Sequence, residues 1–439
     1  MPVPPLSPIA RRALLAASIN ALGNGFTLPF LLVYLHTVRG VPLSLTGLVI
    51  ATIGAAGLAL SPLAGTAIDR FGPRRVQLAS LLILTAGALY LTQVQSTAQA
   101  FLAAAVIGVG HTGSWPSMNA LLAAVSAPEQ RQRLFALEFT LINAGIGVGG
   151  VAGGFLADVS RPGTFQLLYL IDAATYVLAG AVLVTLRSAG GPVAKPVDAH
   201  GAEQPGGWGE VLRDHTMRWL CLLYLIVVLA GYAQIDAGFP AFATGVSGVS
   251  TRVLGIAFAV NTSVIVLGQL FVLGRLEGHR RTRAMAGFAA LIAVSWTLFG
   301  VSGLIDGLAA ATLVVVSMGI FAAGETLWSP TGNALVNDLA PAHLRGRYNA
   351  LAALMWQIAM MIGPIFSSAM LDADLVWSYI AVLVAASAVA IALALRLERR
   401  LTPAQNGLFP VPAAAAPHTT ELETAREPLG APAGPPAGP

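Results

Sequence analysis

Charge is what this sequence has least of. Only 10% of its 439 residues are Asp, Glu, Lys or Arg, against roughly 25% in a soluble domain. A water-soluble chain of this length would need far more charge to cover its surface, so that class is excluded. The only lysine, Lys195, stands between Ala194 and Pro196. A phosphate-binding loop needs Gly-Lys followed by Ser or Thr, which excludes an ATP-driven motor within the chain. The single Cys221 lies in an apolar stretch. It leaves no disulfide framework and reads as a buried, inert thiol. H-E-x-x-H and C-x-x-C spacings are missing too, so no metal is expected, and no cofactor is implied.

What is present is apolar. Hydrophobic residues make up 56% of the chain, and its 47 glycines are spread through the apolar runs, a habit of membrane helices. The net charge of +4 does not point to nucleic acid, because the basic residues sit in short loops between those runs. A span needs about 20 apolar residues. Twelve runs qualify: 13–35, 45–68, 76–95, 98–125, 134–157, 165–187, 217–243, 252–274, 284–304, 307–337, 347–371 and 376–396. Arg11 and Arg12 precede the first run as in a signal peptide. That run is too long for a signal core and lacks a small-x-small cleavage site, so it is read as a retained span. The expected fold is an all-α polytopic membrane protein in the lipid bilayer.

Residues 188–215 are rich in Gly and Pro and form the one long internal linker. Beyond Arg400 the tail turns Ala/Pro-rich and has too little to bury to fold. The domains expected are an N-terminal six-helix bundle (1–187), a cytoplasmic linker (188–215), a C-terminal six-helix bundle (216–400) and a disordered cytoplasmic tail (401–439). Only Arg39, Arg161 and Arg252 of the 24 basic residues fall in loops on one side. The positive-inside rule therefore places both termini in the cytoplasm, with the protein in the plasma (inner) membrane.

An internal repeat relates the halves. Sliding the chain by 214 positions lays 110–158 on 324–372 without a gap. Pro116 meets Pro330, Asn119-Ala120-Leu121 meets Asn333-Ala334-Leu335, Arg131 and Arg133 meet Arg345 and Arg347, and Gly149 meets Gly363. Runs four and five thus fall on runs ten and eleven. Halves with the same in-out direction are related by an axis along the membrane normal, the plan of transporters with a midplane site.

After the second run comes Gly65-x-x-x-Asp69-Arg70-x-Gly72-Pro73-Arg74-Arg75, a tight turn with fixed charges at the rim. It resembles the loop signature G-x-x-x-D-R-x-G-R-R of the major facilitator superfamily, with Pro73 as one extra residue. The resemblance implies that Asp69 and Arg70 latch the halves in the outward-open state. The loop after run eight, Gly274-Arg275-Leu276-Glu277-Gly278-His279-Arg280-Arg281, aligns Glu277 with Asp69 under a shift of 208. Run five carries Gly145-x-x-x-Gly149-Gly150-x-x-Gly153-Gly154. It resembles the antiporter signature G-P-x-x-G-G, with Gly150 where Pro is expected. Small residues on one face also allow close helix packing, and Gly363-Pro364 keeps the Pro in the repeat. Gly324-Glu325-x-x-Trp328-x-Pro330 and Pro341-x-x-x-Arg345-Gly346-Arg347 resemble the twelve-span drug:proton antiporter branch over residues 10–400. The Arg that this branch often carries in span four is replaced by Ala104.

Ionisable groups inside the bilayer are functional candidates by default. The repeat sets His111 opposite Glu325, each near the centre of its span. The resemblance makes spans four and ten cavity-lining. Burial disfavours the charged form of either group, so both can load and release a proton near neutrality. The other reading of His111 is a neutral, hydrogen-bonded imidazole. Trp115 and Trp328 follow His111 and Glu325 at helical spacing, as suits a cavity for amphipathic or cationic compounds or plain helix packing. Asp236 is read as near the outer mouth, as a cation attractor, second proton site or interfacial residue. Asp172 is expected to make a structural hydrogen bond on the scaffold side. Glu138, with Arg131 and Arg133, is read as part of an inner charge cluster with the Asp69 loop.

The function expected is proton-coupled efflux of small amphipathic compounds by alternating access, in a monomer that is not an enzyme. The alternative is an importer or facilitator of a small metabolite. A remote third is an intramembrane hydrolase, from Gly245-Val246-Ser247-Gly248 and Gly300-Val301-Ser302-Gly303.

Overall fold

The computed structural model describes residues 6–125, 131–186, 208–276, 278–341 and 344–408. Their regular structure is helical throughout. Helix α1 (Pro8–Thr27) runs on through tighter and wider turns to Val38. It is followed by α2 (Leu43–Phe71), α3 (Pro73–Leu91), α4 (Thr97–Ala124), α5 (Arg131–Leu156) and α6 (Pro162–Val184). A short helix, Trp208–Arg213, leads into α7 (His215–Ala230), which continues in two pieces, Tyr232–Ile235 and Gly238–Gly245. The rest are α8 (Thr251–Leu276), α9 (Arg281–Ser302), α10 (Gly307–Leu339), α11 (Arg345–Asp372) and α12 (Val376–Glu398). Among the described residues, ten of these stretches are long and apolar enough to cross a membrane. The other two are α3, which opens on Arg74 and Arg75, and α4, with the polar run His111–Asn119.

Local chemistry sets several ends. Ser96 and Gln99 form a reciprocal capping box that starts α4. Asp214 caps α7 by accepting from the amides of Thr216 (2.8 Å) and Met217 (3.2 Å), and Tyr348 of α11 donates to its second oxygen at 2.7 Å. Between α5 and α6, Asp158 accepts from the hydroxyl and amide of Ser160, which hold its carboxyl below the ordinary range.

The packing repeats with a period of six helices. In the first half α1 lies on α5 and α6, α3 on α4 and α6, and α2 on α4. In the second, α7 lies on α11 and α12, α9 on α10 and α12, and α8 on α10. Beside smaller contacts of residues 28–33 with α8 and with Gly238–Gly245, two main contacts join the halves, α2 with α11 and α5 with α8. Each is the other's mate under the same repeat.

Span seven departs from the unbroken run expected over 217–243. The helix breaks at Gly231 and again at Asp236 and Ala237. Backbone groups freed inside a membrane must find partners. Here the Gln234 side-chain amide donates to the Leu229 carbonyl (2.6 Å) and the Trp296 indole donates to that of Ala230 (2.7 Å). The tail also departs from expectation at its start. Residues 401–408 fold back on the beginning of α9 instead of standing free. The buried Asn406 side chain accepts from the Thr282 amide (3.0 Å), and the Arg281 amide donates to the Asn406 carbonyl (3.0 Å). Residues 409–439 and most of the 188–215 linker lie outside the described residues, as does Glu277.

The turn between α2 and α3 hangs on Gly72, at φ 85° and ψ 150°. That region is open essentially to glycine alone, at about 1–3 kcal/mol for any other residue. Gly72→Ala should lower the melting temperature of the purified protein measurably while leaving its helical content intact. An unchanged melting curve would show that the turn carries no such strain. Arg74 ties the same turn to α6, donating to the carbonyls of Leu183 and Val184 at 2.8 Å each.

Candidate functional site

The two glycine faces of α5 determine where the halves touch. A Cβ at Gly149 would stand 2.9 Å from the Gly25 Cα and 3.0 Å from the Phe26 amide, and one at Gly145 would stand 3.0 Å from the Leu22 amide. Gly153 faces Phe26 and Phe30. These three glycines seat α5 on the α1 backbone. Gly154 faces the other way. A Cβ there would lie 2.9 Å from both the Gly255 Cα and the Thr251 carbonyl oxygen of α8, and Gly150 lies toward Phe258. The repeat places Gly363 of α11 against Ala233 and sets Gly47 of α2 on the Pro364 carbonyl and Ser368. Shifting Gly154 by 214 gives Ser368, and shifting Gly47 by 208 gives Gly255, so the two seams are one contact used twice. Thr251 adds a hydrogen bond across the first, to the Ala157 carbonyl at 2.7 Å.

Both seams lie away from the Gly72 turn. At the Gly72 end, Gly65 of α2 has nothing within 4 Å of where a Cβ would stand. Between the halves is a cavity of about 600 Å³. Its wall takes His111, Thr112 and Trp115 from α4, Asp236 from the break in α7, and Trp356 and Gln357 from α11. Trp115 is 63% exposed, so its indole stands in the open space. A side lobe reaches into the first half, where Asn24 and Thr27 of α1 meet Tyr169, Asp172 and Tyr176 of α6. The cavity thus joins polar and titratable groups to apolar walls and is closed by the seams at one end.

Glu325 is not among the residues that line this cavity, and no ion pair joins it to His111 among the described residues. It stands one layer behind. Asn261 of α8 donates to its Oε2 at 2.8 Å, and the Tyr232 hydroxyl bonds to it as well. The Tyr232 ring lies 4.8 Å from that of Trp356, on the cavity wall, and 5.8 Å from that of Phe321. Trp328 is buried against Tyr224 and Phe288, at 4.8 and 5.5 Å between ring centres. Asp236 lies on the cavity wall. Asp172 also reaches the cavity, which its position on a scaffold helix gave no reason to expect.

Of the rim residues, Arg70 lies over the Phe71 ring at 5.4 Å, Arg75 is exposed and Glu138 is buried. The side chains of Asp69, Arg131, Arg133 and Arg345 lie outside those described, and Arg347 is half-buried. In the second half, Arg280 and Arg283 pair with Glu398, and Arg281 pairs with Asp338. Ser247 and Ser302, the serines of the two Gly-Val-Ser-Gly runs, hydrogen-bond to each other at 2.7 Å. The Ser302 hydroxyl also lies 2.6 Å from the Phe299 carbonyl.

Comparison with known proteins agrees with this plan. A family model described as Major Facilitator Superfamily matches residues 13–328 and 297–429. The uncharacterized MFS-type transporter YqjV of Bacillus subtilis (strain 168) is 22% identical over 82% of this chain and 85% of its own. The multidrug resistance protein MdtH of Aeromonas hydrophila subsp. hydrophila is 26% identical over 71% of this chain and 75% of its own. Among solved structures, a POT family transporter in complex with 5-aminolevulinic acid superposes with a TM-score of 0.73 at 15% identity, covering 89% of this chain and 95% of that one. Two six-helix halves, joined by a duplicated glycine seam around one central cavity, accord with the family match: the chain is a multi-pass membrane transporter of the major facilitator superfamily.

Proposed function

We propose that the chain exports small amphipathic compounds in exchange for protons, by alternating access to the central cavity. The observation that carries this reading is the cavity itself. It is about 600 Å³, closed at one end, and sets His111 and Asp236 beside the indoles of Trp115 and Trp356. Aromatic faces attract cationic and amphipathic molecules, and titratable groups in a water-poor space exchange protons at a cost the membrane gradient can meet. Kinship with a multidrug resistance protein supports the substrate class. Glu325 acts as the principal proton carrier, reporting to the cavity through Tyr232 and Trp356. His111 and Asp236 are further titratable groups on the cavity wall. The loop with Asp69 and Arg70 latches the Gly72 end when the cavity opens to the other side, and that end faces the cytoplasm.

Transport direction and energy source are read together in membrane vesicles energised by a proton gradient. Everted vesicles carrying the protein should accumulate ethidium, and collapsing the pH gradient with nigericin should release it. Accumulation in right-side-out vesicles instead would favour an importer. Accumulation indifferent to nigericin would remove the proton from the mechanism.

A further inference from the structure

The side lobe ends at a carboxyl group with unusual surroundings. Asp172 is 4% exposed, and no cation pairs with it among the described residues. Its Oδ2 accepts from the Thr27 hydroxyl of α1 at 3.0 Å. Its Oδ1 is sealed from solvent and receives no hydrogen bond.

Two hydroxyls lie against the same carboxyl, those of Thr175 and Tyr176. Both have committed their protons elsewhere. Thr175 donates to the backbone carbonyl of Asp172 at 2.7 Å, and Tyr176 donates to the Asn24 Oδ1 at 3.0 Å. So bonded, each turns lone pairs toward Asp172, and either would have to give up that bond to donate to the carboxylate instead. Gly23 lets α6 come this close, since a Cβ there would collide with the Thr175 Oγ1 and the Asp172 Oδ1.

A bare carboxylate at this point would bury a negative oxygen among acceptors, an arrangement that costs several kcal/mol. A carboxylic acid removes the conflict, because an Oδ1–H finds acceptors ready on either hydroxyl. We propose that Asp172 is a proton-binding site of the first half, loaded on Oδ1 in the conformation seen here and opening on the central cavity through the side lobe.

Among the described residues, the neighbouring elements supply no competing charge at this level. Helix α3 presents Leu84, Ala88 and Leu91 to the lobe, and α1 presents Asn24 and Thr27. Beyond them, Tyr34 packs on the Tyr169 ring at 5.0 Å. Arg39 is committed to the Tyr34 hydroxyl (2.9 Å) and the Thr92 carbonyl (3.3 Å). His111 of α4 stands on the cavity wall. Glu138 of α5, the α3 guanidiniums Arg74 and Arg75, and Arg11 and Arg12 of α1 belong to the Gly72 end.

The same convergence of lone pairs is what a small bare cation such as sodium would seek. Sodium is therefore the competing occupant, and the ion-replacement arm of the test separates it from a proton. Use of the site in transport rests on the exporter reading, whereas its protonation does not.

Infrared spectroscopy of the purified protein in lipid at neutral pH tests this without any substrate. Protonated carboxyls absorb above the amide region and shift down in D2O. Asp172→Asn should remove one such component, Thr175→Val should move that component to higher frequency by deleting an acceptor, and Glu325→Gln should leave it in place. An Asp172→Asn spectrum with every wild-type component would overturn the assignment. Should that variant fail to fold, a component unshifted by both Thr175→Val and Tyr176→Phe would do the same. Loss of the wild-type component when choline chloride is replaced by sodium chloride would make this a sodium site and defeat the proton assignment.

Discussion

Glu325→Gln protein in proteoliposomes should let substrate run down its gradient but fail to drive it uphill when a pH gradient is imposed. The substitution keeps the size of the side chain and an oxygen that can still accept from Asn261, so the second half stays packed. It removes the titratable group of α10 that stands behind the cavity wall, while Asp338 on the same helix stays paired with Arg281. One proton crossing 100 mV supplies about 2.3 kcal/mol, which sustains a concentration ratio of about 50, at about 1.4 kcal/mol per tenfold. Losing one coupled proton therefore lowers the attainable ratio by about that factor. Uphill transport retained at the wild-type level would take Glu325 out of the mechanism.

The second large effect is conformational. Gly154→Val should hold the seam between α5 and α8 open, because the added methyls meet the Gly255 Cα and the Thr251 carbonyl. These belong to the other half, so each half can fold undisturbed while the closed end is wedged apart. Gly149→Ala makes the useful contrast. Its Cβ meets the α1 backbone at Gly25 and Phe26 within the same half, and such overpacking costs about 1–3 kcal/mol of stability. Spin labels at Arg161→Cys and Asp372→Cys, in a Cys221→Ser background, report the separation across the closed end. Gly154→Val should lengthen that distance and stop transport with little change in melting temperature. Gly149→Ala should lower the melting temperature and leave the distance alone. Equal distances in wild type and Gly154→Val would refute the seam as a conformational hinge.

Much of the architecture was legible in the sequence because duplication leaves gapless spacing behind it. The shift that pairs Asn119 with Asn333 also pairs Gly154 with Ser368, and those two residues sit at equivalent places in the two seams. Small residues announce close approach, so the run from Gly145 to Gly154 pointed at a helix contact. It did not show that the run divides between α1 and α8. That division depends on the facing of each residue, and an apolar all-round helix in lipid gives the periodicity little to mark.

The break in α7 was missed for a related reason. No proline stands at Gly231 or Asp236, and the partners that make the break tolerable, Gln234 and Trp296, are known only once helices are packed. Glu325 and Asp172 changed places in the same way. The repeat and the neighbouring indoles drew attention to Glu325, yet it stands behind Tyr232. Asp172, on a helix expected to be scaffold, reaches the cavity because Gly23 allows α6 to lie close to α1.

Gln357 lines the cavity on α11, and a cysteine there, with Cys221→Ser, samples both faces of the membrane through that one space. A membrane-impermeant maleimide should label Gln357→Cys from the Gly72 side in the resting protein, and from the opposite side once substrate and a pH gradient drive turnover. Labelling from one side alone under every condition would contradict alternating access.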